Sequence, residues 1–291
     1  MAYLIKENEP LAPYCSMRVG GNAKYIVLPD SISALGSALR DLAFKGERFI
    51  VVGNCSNLVF PDSGFDGAVV VTCGVRGVSC GADGTLEAQC GETLSSLARC
   101  ARDNSRSGLE FCHGIPGTVG GGAFMNAGAY GGEISQRLTE CTVLDNNLEE
   151  KTVSAAELGF GYRKSAFADK GYVLLSAKFS TLPGDRNEIA AKMEDLMARR
   201  KKSQPLEYPS CGSAFKRPEG YYAGALIEQC GLKGMRVGGA EVSEKHAGFI
   251  INRGAATASD ILELMRLVRD RVLKNTGVRL EPEIRFIDTE F

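Results

Sequence analysis

Residues 114–132 read "GIPGTVGGGAFMNAGAYGG". Eight of these nineteen residues are glycine, and none is Lys, Arg, Asp or Glu. Glycine lets main-chain N–H groups converge on an anion and lets a ligand approach where a Cβ would collide. A set of tight turns or bulges accounts for the same composition without any ligand. Outward from this segment the texture differs on its two sides, and that difference sets the architecture.

On the N-terminal side strand and helix alternate. "AKYIVLP" (23–29) predicts a short strand. "PDSISALGSALRDLAFKGE" (29–47) predicts a helix capped by Asp30 or Ser31, with Ile32, Leu35, Leu39 and Leu42 on one face. "RFIVVG" (48–53) predicts a buried strand, "NCSN" (54–57) a turn, and "LVF" a further short run. Strand, helix and strand of these lengths argue for a small parallel unit. From about Ala68 shorter β-like runs appear ("GAVVVTC", "GTLEAQC"), with one helix near Thr93–Asn104.

Beyond the glycine segment, "CTVLD" and "YVLLSAKFST" predict more strands, and "TLPGDR" reads as a boundary. "NEIAAKMEDLMARRKK" predicts an amphipathic helix. Its basic end, Arg199–Lys202, reads most simply as a solvated terminus that complements the helix dipole; a grip on a substrate phosphate is the alternative. "ASDILELMRLVRDRVLKNTG" predicts a second long helix, with Thr257 and Asp260 as its capping box and Gly277 as its stop. In "VRLEPEIRF" apolar residues alternate with Arg279, Glu281, Glu283 and Arg285, so a strand here presents Glu283 and Arg285 on one polar face. The fold class is therefore α+β. An N-terminal region of residues 1–182, divisible near 67 and 68, precedes a smaller C-terminal domain of residues 183–291.

Composition narrows the function. Lys+Arg 34 against Asp+Glu 35 leaves a net charge of −1, which argues against a nucleic-acid or membrane-surface binder. The charged start "MAYLIKENEP" does not read as a signal peptide, and no apolar run approaches the roughly 18 residues of a membrane span. A cytoplasmic protein is expected. The ten cysteines include no C-x-x-C pair, and the only histidines are His113 and His246, so no metal site is expected. Most of the thiols are expected to be buried hydrophobes, with Cys55 and Cys211 the exceptions of interest. Neither G-x-x-x-x-G-K-[ST] nor G-x-G-x-x-G after a strand is present. Two loops nonetheless look built for close backbone approach to an anion: "VVGNCSN" (51–57) and the glycine segment.

Seven stretches come in order along the chain: "VGGNAKYIVLP", "VVGNCSNLVFPDSGFDGAVV", "GIPGTVGGGAFMNAGAYGGEI", "GYRKSAF", "PSCGSAFKRP", "AGALIEQCGLKGMRVGGAEVSEKHAGFIIN" and "LEPEIRFI". Together, from about residue 14 to residue 287, they resemble the UDP-N-acetylenolpyruvoylglucosamine reductase family, flavoenzymes of peptidoglycan synthesis. The chain resembles the shorter form, which lacks an extra tyrosine-bearing loop. The resemblance implies an FAD-binding domain of the vanillyl-alcohol-oxidase or PCMH type, made of two α+β subdomains, and a C-terminal α+β substrate-binding domain. FAD would be non-covalent, NADPH the reductant and a UDP-sugar the substrate, in a monomer or weak oligomer.

Carried over by motif, Gly53, Asn54, Cys55, Ser56, Asn57 and Leu58 would hold FAD from the first loop. From the second, Gly114, Ile115, Pro116, Gly117, Thr118, Gly120, Gly121, Asn126, Ala127 and Gly128 would do so, joined by Arg163. Arg163, Ser213 and Glu283 match the family's catalytic arginine, proton donor and glutamate. Lys216, Arg217, His246 and Arg285 match substrate contacts. "GNCSN" departs from the usual glycine-glycine-serine-asparagine, Cys211 stands where alanine is common, and Arg217 where asparagine is usual. Two other readings stand beside this one: an FAD-dependent oxidase of the same fold acting on another alcohol or sugar, and a non-catalytic flavin- or nucleotide-sugar-binding module.

Overall fold

The computed structural model describes residues 3–291 and divides into two compact units. The first comprises residues up to Lys6, Tyr25–Asn54 and Gly67–Arg200; the second comprises Glu7–Lys24, Cys55–Asp66 and Lys201–Phe291. The second is therefore assembled from three separate stretches of chain.

One sheet has the order Tyr3–Pro10, Asn22–Pro29, Phe65–Val71, Phe49–Val52. Within it Phe49–Val52 runs parallel to Phe65–Val71, in register from Phe49 opposite Ala68 to Val52 opposite Val71. The strands flanking the helix Ile32–Phe44 are thus not neighbours, because Phe65–Val71 lies between them. That helix starts where Ser31 accepts a hydrogen bond from the Ala34 amide at 3.2 Å, and it buries Leu35, Leu39 and Leu42. A second, antiparallel sheet has the order Glu150–Ser154, Leu138–Leu144, Val173–Phe179, Leu86–Gln89, Val78–Cys80. The helix Leu94–Asp103, capped by Thr93, buries Leu94, Leu97, Ala98 and Ala101 in the core cluster that also holds Val143, Ala177 and Phe179. Mixed helix and sheet make the chain α+β.

The glycine segment is more regular than its composition suggests. A 3₁₀ turn covers Glu110–Gly114, and Val119–Phe124 forms a short α-helix whose N-cap is Thr118. The segment is neither an open loop nor a run of turns alone.

The second unit holds an antiparallel sheet in the order Ser210–Ser213, Phe249–Asn252, Ala240–Val242, Arg236–Val237, packed with the helices Ala223–Gln229 and Ala258–Thr276. The capping box of Thr257 and Asp260 is present, and Gly277 ends the helix at φ +74. Leu264, Met265, Val268 and Val272 from this helix pack in one cluster with Met17, Val19, Val59 and Leu280. Asp62 ties the segment 55–66 into this unit. Its carboxylate accepts from the Ala258 and Ser259 amides at 2.7 and 2.9 Å and from the Ser259 hydroxyl at 2.6 Å. Burial works to raise the Asp62 pKa, but these hydrogen bonds outweigh it and hold the carboxyl below its ordinary value.

The strand expected over "VRLEPEIRF" is broken. Leu280 and Ile284 are buried as the alternation requires, yet ladder pairing is confined to Arg285–Phe286, which runs parallel to Leu58–Val59. Proline has no amide hydrogen, so at Pro282 the ladder is reduced to a single bridge with Phe215. The segment then changes partners. Glu281 O accepts from Lys216 N and Glu283 N donates to Ala214 O, both at 2.9 Å, whereas Arg285 N donates to Asn57 O at 3.0 Å.

Candidate active site

In the first unit the two anticipated loops meet. A Cβ on Gly53 would lie 2.2 Å from Thr118 Oγ1, so only glycine permits this approach. Asn54 Nδ2 donates to Pro116 O at 3.2 Å, which fastens the first loop to the second. Thr118 caps its helix through Gly121 N at 3.3 Å. Gly121 itself is exposed, and an added Cβ there would find only Thr118 Oγ1 within 4 Å, at 3.5 Å. This leaves open space beside the cap.

The backbone amides here are partly committed. Val119 N and Gly120 N donate to Glu92 O and Cys90 O, each at 2.8 Å, and Gly117 N donates to Ile115 O at 2.9 Å. The cradle thus depends as much on the absence of side chains as on amide donors. Neither Gly121 nor Gly128 has positive φ, so backbone conformation does not call for glycine at either position. Gly128 is required sterically instead, since a Cβ would approach Gly132 O to 2.7 Å.

Asn126 organises the region around Arg163. Buried and at φ +43, it donates to Gly161 O and to Glu133 Oε2, each at 2.9 Å, and accepts from Ser135 N at 3.0 Å. Its side chain is therefore spent within the protein. It anchors the turn in which Gly161 and Lys164 exchange backbone hydrogen bonds at 2.9 and 3.1 Å, with Arg163 at φ +53 near the tip. The Arg163 guanidinium donates to Gly128 O at 3.1 Å, and its carbon sits 5.1 Å from the centre of the Tyr162 ring. Ala127 is half-buried between these anchors, and its amide donates to Gly122 O at 2.8 Å.

In the second unit Ser213 owes its position to a bulge. Ser210 pairs with Ile251 and Ser213 with Phe249, so one strand carries an extra residue. Gly212 absorbs it at φ +74, with nothing within 4 Å of where its Cβ would be. Cys211 and Ala214 point into the core while Ser213 is exposed. Glu283 is held alongside, because its amide donates to Ala214 O and its carbonyl accepts from Asn57 Nδ2 at 3.0 Å. Ser213, Glu283, Asn57 and Arg285 are thus brought together by backbone links within one unit, while Arg163 belongs to the other.

The remaining second-unit residues vary in setting. Lys216 pairs with Glu281 at 3.2 Å. The Arg217 guanidinium stacks 4.1 Å from the centre of the Tyr222 ring and donates to Tyr221 O at 3.4 Å. His246 accepts from Gly248 N through Nδ1 at 3.1 Å, and burial pulls its pKa below the ordinary value. Ser56 and Leu58 are half-buried.

The cysteine departures are inward-facing. Cys55 is 3% exposed and its thiol hydrogen-bonds that of Cys15, so its side chain is not presented at the loop surface. Cys211 is also 3% exposed, and burial pushes its pKa up to about 12, which removes the thiolate needed for reactivity. All ten cysteines are free thiols. Among the described residues no group of three or more His, Cys, Asp or Glu could hold a metal, and no helix is long and apolar enough to cross a membrane.

One residue departs from its simplest reading. Arg200, taken with Arg199–Lys202 as a solvated basic end, is 9% exposed and lies against Gly114. The signal was available. At about 100° per residue, position 200 falls on the same helical stripe as Ile189 and Met193, the other two residues that the helix Arg186–Ser203 buries.

An uncharged, glycine-rich segment fastened to a second loop suits an anionic nucleotide cofactor. Residues 23–153 match the family model described as FAD binding domain, so the class is that of flavoproteins. Residues 204–287 match the model described as UDP-N-acetylenolpyruvoylglucosamine reductase, C-terminal domain. The chain is 46% identical over 284 residues to the reductase of that name from Lactococcus lactis, covering 98% of this chain and 95% of that protein. It is 43% identical to the one from Clostridium beijerinckii, covering 97% and 92%. The crystal structure of the Thermus caldophilus enzyme superimposes with a TM-score of 0.81 at 33% identity, over 98% of both chains. The chain belongs to the UDP-N-acetylenolpyruvoylglucosamine reductase family.

Proposed function

We infer that this chain reduces the enolpyruvyl group of UDP-N-acetyl-3-O-(1-carboxyvinyl)glucosamine to the lactyl ether, giving UDP-N-acetylmuramate for cell-wall synthesis, with FAD and NADPH. Identity of 46% across 98% of the chain supports the reaction. The residue roles rest chiefly on the bulge at Gly212, which turns Ser213 outward beside the backbone-anchored Glu283.

The cradle at Gly53, Thr118 and Gly121 suits FAD, since Gly53 lets the two loops close and Gly121 leaves open space where a side chain would otherwise stand. Gly53–Leu58, Gly114–Thr118, Gly120, Gly121 and Asn126–Gly128, with Arg163, would hold the cofactor. Bound there, FAD would supply hydride transfer from NADPH to C3 of the enolpyruvyl group. Negative charge then gathers on C2 and the adjoining carboxylate. Arg163, immobilised by Gly128 O and Tyr162, stabilises that charge at little reorganisation cost. Glu283 in its acid form donates a hydrogen bond to the carboxylate, and Ser213 Oγ delivers the proton to C2. Lys216, Arg217, His246 and Arg285 orient the UDP-sugar. The reading has the protein act in the cytoplasm, where NADPH is supplied, as a monomer or weak oligomer.

Stopped-flow absorbance on the two half-reactions tests the roles. Ser213→Ala should leave flavin bleaching by NADPH nearly intact and slow recovery of the colour by enolpyruvyl substrate by about 10²–10⁴-fold. Glu283→Gln should show the same asymmetry. If Ser213→Ala slowed both halves equally, or neither, the proton-donor role would be wrong.

A further inference from the structure

The stretch of backbone that carries Glu283 is thinly held. Pro282 cannot donate, so its pairing with Phe215 is a single bridge, and from Arg285 the chain runs beside Leu58–Val59 instead. Glu283 itself keeps two backbone bonds, its amide to Ala214 O at 2.9 Å and its carbonyl from Asn57 Nδ2 at 3.0 Å. Bonds to two different partners leave the tilt of so short a stretch to be set by side-chain packing.

Phe291 supplies that packing. Its ring centre lies 6.2 Å from that of Phe286, at an interplanar angle of 13°, and 6.2 Å from that of Phe215, at 66°. The first pair is stacked and the second edge-on, both arrangements that aromatic rings favour. Phe286 stands three residues beyond Glu283 and Phe215 two beyond Ser213, so one ring joins the two stretches that carry those side chains. The ring is braced in turn by the helix Ala258–Thr276. The Arg269 guanidinium carbon sits 4.9 Å from its centre, with Nε fixed by Asp270 at 2.8 Å. Arg266 Nη2 donates to Glu290 O at 2.5 Å, which pins the backbone one residue earlier. Phe286 and Phe291 are half-buried and pack against the core cluster of this unit rather than within it. Phe291 also lies outside the stretch 204–287 that matches the family model.

We propose that Phe291 is a positioning residue for the reaction: set between Phe215 and Phe286 and braced by Arg269, its ring fixes the Ser213 hydroxyl and the Glu283 carboxyl relative to each other. The proposal rests on the roles given above to Ser213 and Glu283. Phe291 touches neither side chain's reacting atoms; it acts on their alignment, where a displacement of about 1 Å can cost 10²-fold in rate.

Stopped-flow absorbance on the holoprotein separates alignment from packing. Phe291→Ala should slow reoxidation of the reduced flavin at saturating enolpyruvyl substrate by about 10–10²-fold and leave its reduction by NADPH within about twofold of wild type. The substrate concentration that gives half-maximal reoxidation should change little. Phe291→Tyr, which keeps the ring, should restore most of the rate. In a Ser213→Ala background Phe291→Ala should slow reoxidation far less than it does in wild type, because the hydroxyl it aligns is gone. The proposal is overturned if Phe291→Ala slows both half-reactions equally or neither, if Phe291→Tyr is as slow as Phe291→Ala, or if the loss is the same in both backgrounds. Failure of Phe291→Ala and Phe291→Leu alike to fold also overturns it, since the ring would then serve the core. Wild-type reduced flavin that the enolpyruvyl substrate does not reoxidise refutes the reaction itself, and undiminished reoxidation in Ser213→Ala refutes the proton donor.

Discussion

Replacing Gly53 by alanine probes the clasp between the two loops directly. The new methyl would sit 2.2 Å from Thr118 Oγ1, 3.1 Å from Cγ2 and 3.2 Å from Cβ, against an ordinary contact of 3.4–4 Å. Thr118 would have to retreat by about 1 Å, and its Oγ1 is the cap of the helix Val119–Phe124. Overpacking of this kind costs about 1–3 kcal/mol. Thr118→Ala alone loses the cap, about 1 kcal/mol. In the double variant Oγ1 and Cγ2 are gone, and the closest remaining atom is Cβ at 3.2 Å. The double variant should therefore be scarcely less stable than Thr118→Ala, which implies a coupling of about 1–3 kcal/mol. Urea denaturation of the four proteins, followed by release of flavin fluorescence, measures it. FAD affinity should fall in Gly53→Ala, where the clasp is forced apart, and recover in part in the double variant. If the two substitutions add to within about 0.5 kcal/mol, the loops are not in the contact described and the argument fails.

Gly212→Ala meets no neighbour and so should cost only the left-handed backbone, about 1–2 kcal/mol. By re-aiming Ser213 it should slow substrate-driven reoxidation of the flavin, whereas Gly212→Asn, which tolerates that conformation, should slow it less. Equal slowing in the two half-reactions would separate the bulge from the proton donor. Asp62→Ala should destabilise the second unit by about 1–2 kcal/mol near neutral pH, because it uncaps the helix Ala258–Thr276. The folded-state pKa of Asp62 is depressed, so its contribution is full above the ordinary aspartate value and is lost as pH falls through the folded value. The gap between wild type and Asp62→Ala in chemical denaturation should narrow on that acid side. A gap independent of pH would exclude a charged cap.

What could be read along the chain was whatever is decided within a few residues. Ser31, one of the two caps offered for its helix, and the Thr257–Asp260 pair mark helix starts because a cap acts three residues away, and both form. The two loops stood out because glycine and small polar residues gather there, and they are fastened together by Asn54 and Pro116. The bulge at Gly212 was not, since it exists only relative to the register of Phe249–Asn252, some forty residues later in the chain. The broken strand at Pro282 shows the same limit: alternation predicts which side chains are buried, but not that the backbone changes partners midway. Arg200 was hidden by its own neighbours. Four consecutive basic residues suggest a wet helix end, and only the position of each around the helix separates the buried one from the other three.

The discontinuous make-up of the second unit has a consequence for the chain as it leaves the ribosome. Asp62 caps a helix that begins 196 residues later. At about 5–20 residues per second, that partner is translated roughly 10–40 s after Asp62 emerges. For that interval Val59 and Phe60, wholly buried in the finished protein, have no finished core to enter. The first unit is itself complete only once Arg200 has been added, and until the helix Ala258–Thr276 follows, the nascent protein carries an unsatisfied apolar loop, a natural client for a holding chaperone. A gene fragment that starts at residue 201 would lack that loop altogether, and with it the strand that Arg285–Phe286 needs.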